Sequence, residues 1–241
     1  MRVRCGTSGF AYPAWRGSFY PEGSRSEEWL GLYAARLPAV EINVTFYRMP
    51  TARLLSAWLS QVPAGFAFAL KGSQRITHRK RLREVAEDTA FFQASAAALG
   101  AALGPVLWQL PPNLKKDLPR LKDFLALLPA GGRPAFELRH ASWHDDEVRS
   151  LLAEHGAALV LSHDGEKETP LAATARFGYL RLRAPDYQPG ELRAWADRIL
   201  AQPWDEAWVF LKHEEHGPAL ARALGELTGA AAPEEHAPSG P

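Results

Sequence analysis

Short apolar runs recur along the chain at intervals that suit a repeated strand–helix unit. Eight runs of the kind that form buried strands begin near residues 3, 39, 66, 106, 135, 158, 178 and 207. Successive runs start 20 to 40 residues apart, which leaves room for a helix in each gap and is too far for a sheet of hairpins. The pattern therefore predicts a parallel sheet in which strands and helices alternate.

Most gaps between these runs show the three- and four-residue spacing of apolar positions that is typical of an amphipathic helix. We predict helices over residues 26–37, 52–59, 84–99, 116–128, 145–155, 190–200 and 218–227. Residues 165–176 carry only a weak pattern, so we expect an irregular unit or a single helical turn there. Eight strands and about eight helices predict one (β/α)8 TIM-type barrel over residues 1–228, followed by a flexible C-terminal tail at 229–241.

The composition excludes several classes of protein. The chain of 241 residues is 46% hydrophobic and has a formal net charge of +1, which argues against a globally basic nucleic-acid binder and an acidic disordered chain. Its single cysteine, Cys5, excludes an internal disulfide framework. No apolar stretch approaches the roughly 20 residues that span a bilayer, and Met1 is not followed by the apolar core of a signal peptide. We therefore expect a cytoplasmic protein with no membrane partner; the oligomeric state is left open.

Polar side chains end seven of the eight predicted strands. The strands of a parallel barrel all end at one rim, which is where such folds bind ligands. We therefore expect one basin, the barrel mouth, to be lined by Glu41, Asn43, Lys71, Gln109, Glu137, Arg139, Arg181 and Arg183.

Glu41 and Glu137 are the leading candidates for acid–base chemistry. A carboxylate at an inward-facing strand end can donate or accept a proton, or ligate a metal. The alternative is ion pairing that closes the mouth, of Glu41 with Arg181 and of Glu137 with Lys71, because buried charges need partners. The second and fifth strands are well separated around a barrel, which does not support the paired-carboxylate site of a glycosidase.

Lys71 is the third catalytic candidate. A lysine at a strand end can act as a base with a shifted pKa or form a Schiff base, although binding an anion or a carboxylate is the commoner role. It also opens a basic segment, residues 71–83, that includes His78 and contains no acidic residue. This segment suits phosphate or another anion, including a nucleic-acid backbone; the alternative is a solvated surface.

Aromatic side chains and histidines supply further candidates. The aromatic candidates are Tyr12, Trp15, Tyr47 and Trp143. They can line a pocket or stack on a ring, or they can pack the loops. His163–Asp164 and residues 213–216 offer ligands for a divalent metal, but neither HExxH nor a CxxC pair occurs. We therefore predict no cofactor and keep a divalent metal as the weaker alternative.

Five ordered motifs resemble a single family. They are residues 6–10 (GTSGF), 41–47 (EINVTFY), 68–71 (FALK), 109–112 (QLPP) and 136–140 (FELRH). Together they resemble the YecE-like family, also called domain of unknown function 72, across nearly the whole chain. The resemblance implies a TIM-type barrel and implies no established activity.

Two segments depart from the usual sequence of that family. Arg181–Ala184 (RLRA) stands where the family usually has Arg-Leu-His-Gly, and Lys212–Glu214 (KHE) stands where it usually has an Asn-Asp pair. Both segments are expected on the rim, where a change of side chain alters the substrate or the chemistry.

Three hypotheses for function follow from these residues. The first is an enzyme of hydrolase, lyase or isomerase type, which acts on a small phosphate- or carboxylate-bearing substrate through Glu41, Glu137 and Lys71. The second is a nucleic-acid-binding or phosphodiester-processing barrel that uses residues 71–83 and the loop aromatics. The third and weaker one is a metabolite sensor without chemistry. The substrate-binding set predicted for the first hypothesis is Tyr12, Trp15, Asn43, Tyr47, His78, Gln109, Arg139, Trp143, Arg181 and Arg183.

Overall fold

Nine parallel strand segments form one sheet in the computed structural model, which describes residues 1–230. They are β1 (Arg2–Ser8), β2 (Ala39–Ile42), β3 (Ala67–Lys71), β4 (Leu103–Gln109), β5 (Pro134–Glu137), β6 (Ala158–Leu159), β7 (Leu161–His163), β8 (Phe177–Leu182) and β9 (Glu206–Leu211). The segments pair in the order β6-β5-β4-β3-β2-β1-β9-β8-β7. The predicted flexible tail at 229–241 lies almost entirely outside the described residues.

The two ends of this order meet, because β6 and β7 are consecutive in the chain. Only Val160 separates them, and its N–H donates to the carbonyl of Phe136 on β5 at 2.9 Å. The pair therefore acts as one strand that contacts β5 with its first half and β8 with its second half. Eight strands close into an α/β barrel, as the apolar pattern predicts.

Helices follow seven of these eight strands in the described part of the chain. They are α1 (Trp29–Ala34), α2 (Val44–Tyr47), α3 (Ala52–Leu59), α4 (Ala86–Ala96), α5 (Leu118–Leu125), α6 (Asp146–Glu154), α7 (Pro189–Leu200) and α8 (Gly217–Leu227). The side chains of Thr51, Asp117 and Asp145 cap α3, α5 and α6 by accepting backbone hydrogen bonds in the first turn. No helix within residues 1–230 is both long and apolar enough to cross a bilayer.

The connection over residues 164–176 contains no helix, so the prediction of an irregular unit is confirmed. Its chain runs back along the β6–β7 strand as a strap, which two threonine hydroxyls attach to the strand backbone. The Thr174 hydroxyl accepts from Leu159 N at 2.8 Å and donates to Ala157 O at 2.7 Å. Further along, the Thr169 hydroxyl likewise makes two hydrogen bonds: it accepts from Ser162 N at 2.7 Å and donates to Val160 O at 3.0 Å. These hydroxyls satisfy the backbone groups of a strand that no helix covers.

The barrel interior has its own core, separate from the apolar layer between the sheet and the helices. Small side chains fill one side of the interior, and aromatic rings, including Tyr179 and Trp208, fill the other. Gly104 makes room for the largest ring, because a Cβ atom there would lie 2.9 Å from the Trp208 indole. This packing supports the side chains at the C-terminal strand ends from below.

Two short turns at the rim were not predicted. The four-residue helix α2 follows β2 directly, and a single π-helical turn, Arg75–Arg79, follows β3. Such turns are too short to show a period in the sequence. They bring the Phe46 and His78 rings into edge-on contact, with centroids 4.9 Å apart.

Candidate functional site at the barrel mouth

The guanidinium of Arg181, at the end of β8, joins the two predicted catalytic carboxylates. Its Nε and Nη2 donate to Glu41 Oε2 and Oε1, each at 2.9 Å, and its Nη1 donates to Glu137 Oε2 at 2.6 Å. Only 4% of Arg181 is exposed. The ion pair of Glu41 with Arg181 considered from the sequence is therefore present, and Glu137 pairs with Arg181 instead of Lys71. Although β2 and β5 are well separated, one arginine spans the distance between them.

Glu41 is held by three more hydrogen bonds besides those of the guanidinium. The hydroxyls of Tyr179 (2.7 Å) and Ser8 donate to its two oxygens, and Asn43 Nδ2 donates to Ser8 Oγ at 2.9 Å and to Glu41 Oε1 at 3.3 Å. Burial alone would raise the pKa of Glu41, but the charge of Arg181 and these hydrogen bonds outweigh it and lower the pKa to about 2. Glu41 is therefore ionised throughout the neutral range.

Glu137 lies on the other side of Arg181, in a more cationic surrounding. Gln109 Nε2 donates to its Oε2 at 2.9 Å, while Arg183 Nη2 and Arg139 Nε lie 3.6 and 3.9 Å from its Oε1. Burial opposes ionisation here too, but Arg181 and Arg183 outweigh it and lower the pKa of Glu137. Both carboxylates are thus charged and occupied by partners.

Lys71, at the end of β3, has no such partner. Its Nζ lies 4.3 Å from the centroid of the Phe46 ring, and no carboxylate of residues 1–230 comes within 4 Å of it. The residue is 9% exposed. Burial, reinforced by the charge of Arg181, lowers the pKa of Lys71 to about 8. An amine with this pKa can both gain and lose a proton near neutral pH.

His78 and two tyrosines complete the set on this side. His78 is half-buried beside Phe46, and burial together with the charge of Lys71 lowers its pKa. Tyr47 is 68% exposed above Phe46. The Tyr12 hydroxyl donates to Ser8 O at 2.7 Å, which attaches the first loop to the rim.

An open pocket of about 630 Å³ lies over β5, β7, β8 and β9. Its lining includes residues of both segments that depart from the family pattern; the charged and histidine side chains in it are Arg139, Asp164, Arg183, Lys212, His213, Glu214 and Glu215. Arg183 Nη2 donates to Ser162 Oγ at 2.5 Å, but the buried Nε of Arg183 has no hydrogen-bond acceptor in the described structure. The pocket is therefore lined by three cations, Arg139, Arg183 and Lys212, and by three carboxylates, Asp164, Glu214 and Glu215.

Two predicted ligand contacts lie elsewhere. Trp15 is fully buried, and its indole N–H donates to Glu214 O at 2.8 Å; Trp143 is buried as well, and its N–H donates to Leu114 O at 2.7 Å. Both rings pack the loops, which is the alternative considered from the sequence, because their only polar atom is already bonded to backbone. Binding of a ligand by these two rings does not fit this arrangement.

Tyr179, which contacts Glu41, was not selected from the sequence, and neither was the role of Ser8 in holding Glu41. Tyr179 lies two residues before Arg181 on β8, so strand alternation places both on the interior face. That spacing was the available signal for Tyr179. In the described chain no three His, Cys, Asp or Glu side chains are grouped so that they could hold a metal ion.

Solved structures of several organisms share this barrel. A DUF72 family protein of Thermotoga maritima is 25% identical, with a TM-score of 0.79 over 95% of this chain and 100% of that chain. A DUF72 family protein of Enterococcus faecalis is 19% identical, with a TM-score of 0.77 over 95% and 96% of the two chains. A methyltransferase from Methanosarcina mazei, 11% identical with a TM-score of 0.54 over 95% and 93%, shares the fold alone.

A curated relative gives a second sequence match. The UPF0759 protein YunF of Bacillus subtilis (strain 168) is 30% identical over 139 residues, which is 52% of this chain and 48% of that protein. The match thus spans about half the length of each protein. The sequence pattern of the family described as "Protein of unknown function DUF72" matches residues 4–241. With this match across nearly its whole length, the chain belongs to the DUF72 family.

Proposed function

We propose that this protein is an enzyme that binds a small phosphate- or carboxylate-bearing substrate at the barrel mouth and transfers a proton through Lys71. The observation that carries the proposal is the state of Lys71. It is a nearly buried amine that lies beside a network of paired charges and has no carboxylate of its own within 4 Å in the described structure. A buried cation without a protein partner is costly unless it serves a ligand or a reaction.

The charge balance of the mouth supports an anionic substrate. Two buried carboxylates face four cations, which are Arg181, Lys71, Arg139 and Arg183. This inner cluster therefore carries an excess of positive charge that an incoming anion would neutralise, while the outer lining of the pocket adds Lys212 and the carboxylates of Asp164, Glu214 and Glu215. Arg183 is the foremost anion-binding candidate, because it lines the pocket over β5, β7, β8 and β9 and its fork geometry suits phosphate or carboxylate.

Glu41 and Glu137 are positioning residues in this proposal. A carboxyl whose pKa is about 2 gains a proton too rarely near pH 7 to act as an efficient general acid or base. Glu41 instead fixes the orientation of Arg181, and Glu137 holds Arg181 while it faces Arg183.

Lys71 supplies the proton transfer. With a pKa of about 8, about a tenth of Lys71 is neutral at pH 7 and able to remove a proton from the substrate. His78, whose lowered pKa keeps it mostly neutral, is within the same charge cluster and can relay or return a proton. Proton removal from a carbon next to the anionic group, as in a lyase or isomerase, uses these groups without a cofactor.

The test is a thermal-shift screen of small phosphorylated and carboxylated metabolites against their neutral analogues. We expect anionic compounds to raise Tm, and Arg183→Gln to weaken their binding about tenfold through loss of charged hydrogen bonds. Each ligand that binds is then incubated in D2O, and exchange of its carbon-bound hydrogen is followed by proton NMR. We expect Lys71→Met to abolish exchange while binding stays within a few-fold, and the exchange rate to rise with pH and level off above about 8.

Lys122→Met is the matched control, because Lys122 is an exposed lysine on α5 without an ion-pair partner in the described residues. It should leave both Tm shift and exchange unchanged. Equal Tm shifts from neutral analogues would contradict anion binding at the mouth. Full hydrogen exchange in Lys71→Met would contradict the role of Lys71, even if the anion binds.

A further inference from the structure

A second charged cavity lies on the same end of the barrel, between the β3–α4 and β4–α5 connections. It measures about 620 Å³, and we call it the basic groove; its free cations are Arg79, Arg81, Arg83 and Lys115. It shares no lining residue with the pocket over β5, β7, β8 and β9. The groove is therefore a separate surface, and the function proposed for the mouth does not depend on it.

The cations that line the groove fall into two groups. Lys80 is paired with Asp88 at 2.9 Å, Arg120 is paired with Asp117 at 2.7 Å, and Lys116 is paired with two acidic residues of the α6 start. The four free cations of the groove have no carboxylate within 4 Å among residues 1–230. In a chain with a net charge of only +1, four unpaired cations in one cavity are a local excess.

The backbone that presents two of these arginines is strained. Arg81, Leu82 and Glu84 have φ angles of +51°, +64° and +50°, in the left-handed region that non-glycine residues rarely adopt. Leu82 is buried, and its N–H donates to Ile76 O at 3.0 Å, so the loop is anchored between Arg81 and Arg83. The strained conformation turns the neighbours of this anchor outward into the groove. Strain that is kept by the surrounding structure is typical of a binding segment.

We propose that the basic groove binds a compact oligophosphate group, of the kind carried by nucleoside di- and triphosphates or by inorganic tripolyphosphate. A cavity of about 620 Å³ has the size of a small-molecule site and not of an extended channel. Four free cations match a group that concentrates several negative charges in a small volume. Among residues 1–230 no aromatic side chain lines the groove, so recognition falls on the phosphates and not on a stacked base.

Calorimetric titration of the full chain at low salt, without metal ions, tests the proposal. We expect sodium tripolyphosphate and ATP to bind with similar Kd, and inorganic phosphate to bind much more weakly. Arg81→Gly should weaken tripolyphosphate binding about tenfold, because a charged hydrogen-bond donor is lost. It should also leave Tm unchanged or higher, because glycine adopts the left-handed conformation without strain. A residue with a purely structural role would not separate the two readouts in this way.

The matched control is Arg193→Gly, at an exposed arginine on α7 that is far from the groove lining and has no ion-pair partner in the described chain. Its tripolyphosphate Kd should equal that of the wild type. Several results would overturn the proposal: no binding of tripolyphosphate by the wild type, equal loss in the Arg193 variant, or loss in Arg183→Gln with none in Arg81→Gly, which would assign the ligand to the mouth. If the protein binds duplex DNA but not tripolyphosphate, the ligand of the groove is an extended nucleic-acid backbone and the proposal of a compact oligophosphate is wrong.

Discussion

Single residues at the mouth divide into those whose charge is already satisfied and those whose charge is available. Glu41 belongs to the first kind, because Arg181, Tyr179 and Ser8 take up both of its oxygens. Lys71 belongs to the second, because its Nζ lies over the Phe46 ring and no carboxylate of residues 1–230 comes within 4 Å of it. For this reason we propose the Lys71 amine, and not a carboxylate, as the group that transfers the proton.

Replacing Glu41 by glutamine should cost about 3–5 kcal/mol in free energy of unfolding at pH 7, because Arg181 keeps a buried charge with one partner removed. The pKa of Glu41 is lower in the folded protein than its ordinary value of 4.5, so ionised Glu41 stabilises the fold above that pH. The stabilisation is lost as pH falls from about 4.5 to about 2. The difference in free energy of unfolding between the wild type and Glu41→Gln should therefore shrink as the pH falls over this range.

Urea unfolding at a series of pH values measures this difference, and Glu154→Gln, an exposed carboxylate on α6, is the matched control that should show none. A Glu41→Gln protein as stable as the wild type at pH 7 would rule out a charge-paired, buried carboxylate. A difference that stays constant down to pH 2 would rule out the lowered pKa.

Helices were predictable where the element is long enough for its apolar residues to show a helical spacing. The helix ahead of His155 and the helix after Gln188 lie within one or two residues of their predicted bounds, because capping and apolar spacing both mark them. The turns that present Phe46 and His78 were missed, since four or five residues show no period. The strap over 164–176 was predicted only as an irregularity, because hydroxyl-to-backbone bonds leave no apolar pattern.

Thr174→Val should destabilise the protein by about 1–3 kcal/mol, because it leaves the N–H of Leu159 on β6 and the carbonyl of Ala157 just before β6 without this partner. Valine has nearly the same shape, so packing is kept and the hydroxyl is the only loss. Thr174→Ser retains the hydroxyl and serves as the control, which should recover most of the stability. A Thr174→Val variant with the thermal stability of the wild type would contradict the contribution of the strap bonds.

The whole molecule gathers charges that are distant in the sequence. Ring closure was predictable from the number and spacing of strands, and it explains why Glu41 and Glu137 reach the same arginine although 96 residues separate them. Of the two ion pairs considered from the sequence, Glu41 with Arg181 is present, whereas the partner of Glu137 was not predictable because it depends on side-chain reach across the mouth. The sequence paired Glu137 with Lys71, and the folded ring pairs it with Arg181 instead.

A site-resolved titration of Lys71 tests the central claim, that the paired network at the mouth leaves this amine unpaired and poorly solvated. Lysine labelled with 13C at Cε is followed by NMR from about pH 6 to about pH 12, a range that covers both the shifted and the ordinary lysine pKa values. The signal absent from Lys71→Met identifies the residue. We predict a pKa of about 8 for Lys71. A pKa at or above the ordinary lysine value of 10.5 would contradict it, since it would require a carboxylate partner or free solvation.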